Sequence, residues 1–184
     1  MKYGYVGLGN LGGHIAASLI SHGFDVSVFD LDKSLAERHI KAGAKWAATP
    51  KILAAQVDHV FTCLPSPVVS ERVLIQLLEG LKPGATWIEN STNGRDEIIR
   101  LSEMAKAKDI RTLEAPVTGG VHLAARGEIT VLAAGDKDLF DLHHKALEAI
   151  GNKIFHMGPI GSAAVIKVIT NMLPLSIWWQ MPKR

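Results

Sequence analysis

The sequence predicts an α/β fold, a doubly wound and mainly parallel sheet, and three observations lead there. Apolar runs of strand length alternate with amphipathic segments of helix length along most of the chain. A glycine-rich turn joins the first strand to the first helix. The composition, 47% hydrophobic and 21% charged over 184 residues, is that of one globular unit with a substantial core. Strands separated by such helices pair in parallel through right-handed crossovers, with helices covering both sheet faces.

The elements follow in order. "YGYVGL" (3–8) reads as a buried strand and "NLGGHIAASLISHG" (10–23) as a helix ended by Gly23. "DVSVFD" (25–30) is the second strand, and "KSLAERHIKAG" (33–43) a helix stopped by Gly43. After "TPKILAAQV" comes the strand "DHVFTCL" (58–64), then the core-facing helix "SERVLIQLLEGL" (70–81) with its Lys82-Pro83-Gly84 stop. "ATWIEN" (85–90) is a strand, "RDEIIRLSEMAKAK" (95–108) an amphipathic helix, and "IRTLEAPV" (110–117) a strand. "EITVLAAG" (128–135), "DKDLFDLHHKALEAIG" (136–151) and "KIFHMG" (153–158) give strand, helix, strand. The last helix opens at "IGSAAVIKVITN" (160–171), where Ser162 offers its hydroxyl as a cap.

Composition narrows the function. Formal charge is +2, and the basic residues are scattered, which argues against a nucleic-acid partner. Cys63 is the only cysteine, so neither an internal disulfide nor a cysteine-rich metal site is expected. The start "MKYGYVGLGN" lacks a signal-peptide pattern, and no apolar run reaches membrane-span length. A cytoplasmic protein without a membrane partner is the expectation. His143 and His144 are read as a solvated helix face rather than a metal site, and His156 as structural.

"GLGNLG" (Gly7, Leu8, Gly9, Asn10, Leu11, Gly12) fits the GxGxxG pattern in the context that gives it meaning, after a strand and opening a helix. Gly7 permits the tight turn, Gly9 lets the backbone approach a pyrophosphate, and Gly12 lets helix and strand pack closely. Free amides at the helix N-terminus then face the phosphates. Asp30, ending the second strand, can accept both hydroxyls of an adenosine ribose and would repel a 2′-phosphate. NAD is therefore favoured over NADP; FAD or another adenosine ligand, or a plain turn followed by an aspartate that merely ends a strand, are the alternatives.

Lys167 and Asn171 stand one turn apart on the last helix and share a side of it. Spacing alone leaves two readings open: a snorkelling lysine beside a helix-end asparagine, or a functional pair.

Three further motifs carry a resemblance. "CLPSP" (63–67), "EAPVTGG" (114–120) and "GPIGSAAVIKVITN" (158–171) have the order and spacing found in the β-hydroxyacid dehydrogenases. That family includes 3-hydroxyisobutyrate dehydrogenase, tartronate semialdehyde reductase and 6-phosphogluconate dehydrogenase, and the resemblance covers residues 3 to 173. It implies a Rossmann-type domain over residues 1–161, then, over 162–184, the start of an inter-domain helix and the tail of a truncated all-helical domain. It implies an NAD-dependent oxidoreductase moving a hydride between cofactor and a small 3-hydroxy acid or semialdehyde, most like 3-hydroxyisobutyrate dehydrogenase. Tartronate semialdehyde reductase, or an NAD-binding remnant without turnover, is the alternative.

By matching positions, the resemblance places the catalytic lysine on Lys167 and a substrate-binding asparagine on Asn171. The substrate-carboxylate loop falls on Thr118, Gly119 and Gly120, and cofactor contacts on Leu64, Pro65 and Thr92. His122, just after that loop, is a further candidate for substrate contact, and Glu114 is read as an acceptor at a strand end. Thr118 stands where serine is usual, and Ala163 where glycine is usual, departures that bear on which substrate fits. Full-length members are homo-oligomers.

The end of the chain departs from the pattern. "MLPLSIWWQMPKR" replaces the family's continuing helix, and Pro174 is expected to break the helix at a cost of roughly 3 kcal/mol. The expectation is a shifted reading frame after about Leu173.

Overall fold

The computed structural model describes the backbone of residues 1–180 and the side chains of residues 1–173. The chain runs β1 (Lys2–Val6), α1 (Gly12–Ser21), β2 (Asp25–Phe29), a 3-10 turn (Lys33–Ala36) leading into α2 (Glu37–Lys41), β3 (Lys45–Trp46) and α3 (Pro50–Ala55). There follow β4 (His59–Thr62), α4 (Pro67–Leu78), β5 (Thr86–Glu89), α5 (Arg95–Lys106), β6 (Arg111–Glu114) and β7 (Val117–Thr118). Last come α6 (Val121–Ala124), β8 (Ile129–Ala133), α7 (Lys137–Ile150), β9 (Gly151–His156) and α8 (Ser162–Gln180).

Six strands form one parallel sheet in the order β3-β2-β1-β4-β5-β6. The order reverses beside β1, at the switch point where open α/β sheets bind ligands at their carboxyl ends. β7, β8 and β9 make a second sheet, antiparallel between β7 and β8 and parallel between β8 and β9. A bridge between Glu114 and Ala134 ties it to the outer edge of β6. At the opposite edge lies β3, two residues long, where Lys45 pairs with Asp25 at 2.8 Å.

Alternation along the strands splits the core into two layers. Tyr3 and Tyr5 of β1 and Ile88 of β5 pack with Ile15 and Leu19 of α1 and Leu139 and Leu147 of α7. Val6 and Trp87 turn the other way, against Leu53 of α3, Leu74 and Leu77 of α4, and Ile98 and Leu101 of α5. The Trp87 indole donates to the Thr62 hydroxyl at 2.8 Å, which lets a polar ring atom lie in that layer.

Several expectations are corrected. The stretch 110–117 is two strands in two sheets, because Pro116 has no N–H to continue a ladder. Residues 33–43 divide into a 3-10 turn and a short helix, nucleated where the Asp32 carboxylate accepts from the Ser34 amide at 2.9 Å. α8 passes through Pro174 to Gln180 instead of stopping there. A proline removes one backbone bond without obliging the turns on either side to unwind. The side chains of that tail, Trp178 and Trp179 among them, lie outside the described residues, as do residues 181–184. His143 is fully buried, and only His144 faces outward, 3.5 Å from Glu148.

Candidate functional site

The tips of β1, β2, β4, β5 and β6 are laced together by side chains, and this row is the floor of the site. Between β1 and β2, the Asp30 carboxylate accepts the Leu8 amide at 2.6 Å with one oxygen and the Asp32 amide at 3.0 Å with the other. Each oxygen keeps a lone pair for a further donor. Between β4 and β5, the Leu64 amide donates to the Ser91 hydroxyl at 2.7 Å. From β5 toward β6, the Asn90 amide donates to the Ala115 carbonyl at 2.7 Å. From β6, the Glu114 carboxylate reaches α8 and accepts the Gly161 amide at 2.7 Å.

The glycine loop folds as its spacing requires. Gly7 has φ +97°, and a Cβ there would stand 2.2 Å from the Cys63 carbonyl oxygen. A Cβ on Gly12 would lie 2.1 Å from the Gly7 carbonyl oxygen, so close packing of α1 on β1 demands glycine. Beside Gly9 nothing stands within 4 Å, which leaves the backbone open to an approaching group. No side chain caps the N-terminus of α1; the Gly13 and His14 amides donate to the Gly9 and Leu11 carbonyls, and the positive end of the helix faces the loop. These features fit a dinucleotide pyrophosphate.

A cavity of about 600 Å³ adjoins the loop, lined by Leu8, Gly9, Asn10 and His14 on one side and Ser34, Arg38 and Lys41 on the other. The Arg38 guanidinium lies against Gly13. His14, on α1, and Arg38 and Lys41, on α2, carry no motif in the sequence, and only folding brings α2 beside the loop.

The other candidates cluster at the same edge. Leu64 is half-buried, while Pro65 and Thr92 are exposed on neighbouring tips. The Asn93 side chain is buried, yet neither its oxygen nor its nitrogen has a hydrogen-bond partner, and a lone asparagine beside Thr92 carries no sequence signal of that. Thr118 is half-buried at the end of β7, and Gly119 and Gly120 follow with φ +123° and +82°. The His122 ring sits over Gly120, and the Leu123 side chain over Gly119.

On α8, Lys167 is half-buried, and desolvation holds its ammonium below the ordinary lysine range. Asn171, one turn on, is exposed. Cys63 lies beneath the loops with its thiol pushed up to about 12 by burial and the nearby Glu89, which makes it unreactive. Glu89 itself is buried and raised by desolvation, opposed by the Ser91 amide at 2.7 Å. Among the described residues no cluster of metal-ligating side chains forms, and no helix is long and apolar enough to cross a membrane.

Comparison with known proteins agrees with this geometry. Residues 2–158 match the family described as the NAD binding domain of 6-phosphogluconate dehydrogenase. The chain is 32% identical over 173 residues to a probable mitochondrial 3-hydroxyisobutyrate dehydrogenase of Dictyostelium discoideum, covering 92% of this chain and 54% of that protein. It is 30% identical over 175 residues to the cytokine-like nuclear factor N-PAC of Homo sapiens, covering 94% of this chain and 32% of that protein. The solved structure of Mycobacterium tuberculosis 3-hydroxyisobutyrate dehydrogenase with L-serine superposes with a TM-score of 0.91 at 28% identity, covering 94% of this chain and 60% of that one. The chain thus spans between about a third and three fifths of the lengths of these relatives. With its six-stranded dinucleotide-binding sheet and its match over residues 2–158, the chain belongs to the NAD-binding-domain family of 6-phosphogluconate dehydrogenase, to which the 3-hydroxyisobutyrate dehydrogenases are related.

Proposed function

We propose that this chain is the cofactor-binding part of a β-hydroxyacid dehydrogenase that favours NAD over NADP and acts on a small 3-hydroxy acid, most like 3-hydroxyisobutyrate. The observation that carries the reading is the Asp30 carboxylate, held 2.6 Å from the Leu8 amide beside the open flank of Gly9. There it can accept ribose hydroxyls, and its charge opposes a 2′-phosphate. Gly7, Leu8, Gly9, Asn10, Leu11 and Gly12 would cradle the pyrophosphate, with Leu64, Pro65 and Thr92 along the nicotinamide half. Residues 1–161 form the dinucleotide-binding domain in this reading, and 162–184 begin the inter-domain helix.

When bound, NAD⁺ supplies the hydride acceptor. The chain's own residues do the rest. Oxidation of an alcohol requires removal of its hydroxyl proton, and Lys167 can take that proton only as the neutral amine. Burial, which lowers its pKa, works in that direction. In the reverse reaction the ammonium returns the proton. Asn171 would donate its amide to the substrate, and the amides of Gly119 and Gly120 with the Thr118 hydroxyl suit a carboxylate.

Calorimetric titration with NAD⁺, NADH and NADP⁺ tests the cofactor reading. We expect NAD⁺ and NADH to bind and NADP⁺ to bind more weakly. Asp30→Ala should weaken NADH binding roughly ten- to a hundredfold, the worth of hydrogen bonds to a charged group. No binding of either NAD⁺ or NADH by the purified chain sinks the proposal.

A second reading, a cofactor-binding unit without turnover, is favoured by the exposure of Asn171 and the half-exposure of Lys167. Water reaching both would weaken the pKa depression and the grip on substrate. Assay of NAD⁺ with 3-hydroxyisobutyrate, and of NADH with tartronate semialdehyde, separates the two: binding without turnover supports this reading.

A further inference from the structure

Glu114 ends β6 with a side chain that is 2% exposed. Its Oε2 accepts the Gly161 amide at 2.7 Å, and the Ala163 and Ala164 amides behind it favour the charged carboxylate. Gly161 immediately precedes α8, and the amides that open a helix have no partner within it. Ser162, the cap expected from the sequence, is not what holds them; a carboxylate from another element is. The positive end of a helix is met better by a negative charge than by a neutral oxygen.

The backbone of the same residue is fixed from two sides. Its amide donates to Ala134 at 2.9 Å and its carbonyl accepts from Ala134 at 2.7 Å. From Glu114 the chain runs through Pro116 to Thr118, Gly119 and Gly120. One side chain therefore joins the strand that feeds this loop to the helix that carries Lys167.

We propose that Glu114 is a positioning residue: its ionised carboxylate clamps the first turn of α8 and so fixes where Lys167 stands relative to the Thr118–Gly120 loop. The meaning of the clamp for catalysis rests on the proposed role of Lys167; the clamp itself does not.

Its ionisation is finely balanced. Burial pushes the Glu114 carboxyl up to about 7, the amides of Gly161, Ala164 and Ala163 oppose that rise, and Glu89 adds to it. Glu89 lies directly beside Glu114 in register on β5. From α5, the aliphatic part of Arg95 lies against Gly161, while its guanidinium turns outward to Asp96 at 3.0 Å. Just past β8, Ala134 bridges the backbone of Glu114. Protonation removes the charge facing the helix end, so α8 is held above the carboxyl's pKa and loosens below it.

The test uses the whole chain, reductively methylated with ¹³C, with the Lys167 signal assigned through Lys167→Arg. In the wild type we expect the Lys167 signal to show a second, smaller inflection near pH 7 besides its own ionisation. In Glu114→Gln the inflection should vanish, and the Lys167 midpoint should rise by about one unit as the unclamped turn lets water in. Direction discriminates, because loss of a nearby negative charge without movement would lower that midpoint. Glu114→Asp, which keeps the charge but is one methylene shorter, should fall between. A wild-type titration with no inflection near pH 7, or an unchanged or lowered midpoint in Glu114→Gln, overturns the proposal. If the glutamine variant fails to fold, the wild-type titration decides alone. Failure to bind NAD⁺ or NADH would sink the functional reading and leave this measurement standing.

Discussion

At the foot of the sheet, opposite the tips that hold the candidate site, the His143 Nδ1 lies 3.0 Å from the Tyr3 hydroxyl. Its Nε2 has no hydrogen-bond partner, and its ring meets that of His59 with centroids 4.5 Å apart. Burial, then the neighbouring His59 and Arg111, push the His143 pKa down to about 3. The unfolded chain binds a proton near 6.5 and the folded chain does not, so this group's contribution to stability is full above 6.5 and falls as pH drops toward 3. At pH 5 the loss from His143 is about 2 kcal/mol. Glu114 acts oppositely: its raised pKa makes the folded state bind the extra proton, so it destabilises as pH rises from about 4.5 to 7. Urea unfolding at pH 5 and pH 7 should therefore show a flatter dependence for wild type than for Glu114→Gln, and less acid sensitivity for His143→Asn than for wild type. Nothing in the sequence marked His143 as buried. Its helix is amphipathic, and adjacent histidines can share its solvated face or straddle its edge; that His143 turns inward is fixed by Tyr3, 140 residues away.

Among the elements, those legible in the sequence are those whose cause is local. The turn from β1 into α1 follows from three glycines, and the stops after α1 and α2 from Gly23 and Gly43, with φ +82° and +106°. Gly12→Ala should lower Tm markedly, costing about 1–3 kcal/mol, because the added methyl meets the Gly7 carbonyl rather than a movable side chain. A thermal melt checks this, and a variant as stable as wild type would contradict the packing described. Illegible were elements that exist only by tertiary pairing. β3 is two residues added to β2, and β7 is two residues that leave one sheet for another after a proline. The site divides in the same way. The loop, Asp30 and the order of the motifs were legible as pattern. The clamp of Glu114 on α8 was not, because it depends on strand β6 and helix α8 meeting across 47 residues.

At the scale of the molecule, the outer side of α8 is the anomaly. Val165, Val168, Ile169 and Met172 recur at helical spacing and are between 42% and 62% exposed. A stripe of that kind on a folded surface attracts apolar probes. We expect a dye sensitive to apolar surface to bind the native chain, and a Val168→Glu, Ile169→Lys double variant to lose that fluorescence without a lower Tm. Equal fluorescence in the two proteins would show that the dye reads another surface.

The two margins of the large sheet shape what such stickiness can lead to. One margin is a two-residue strand carrying Lys45 bound to Asp25, and the other is closed in part by the bridge from Glu114 to Ala134. Neither presents a long flat row of unsatisfied peptide groups onto which a foreign strand could zip. A foreign strand should accordingly not extend the large sheet, and any strand addition to this chain should map to β9, at the margin of the small one.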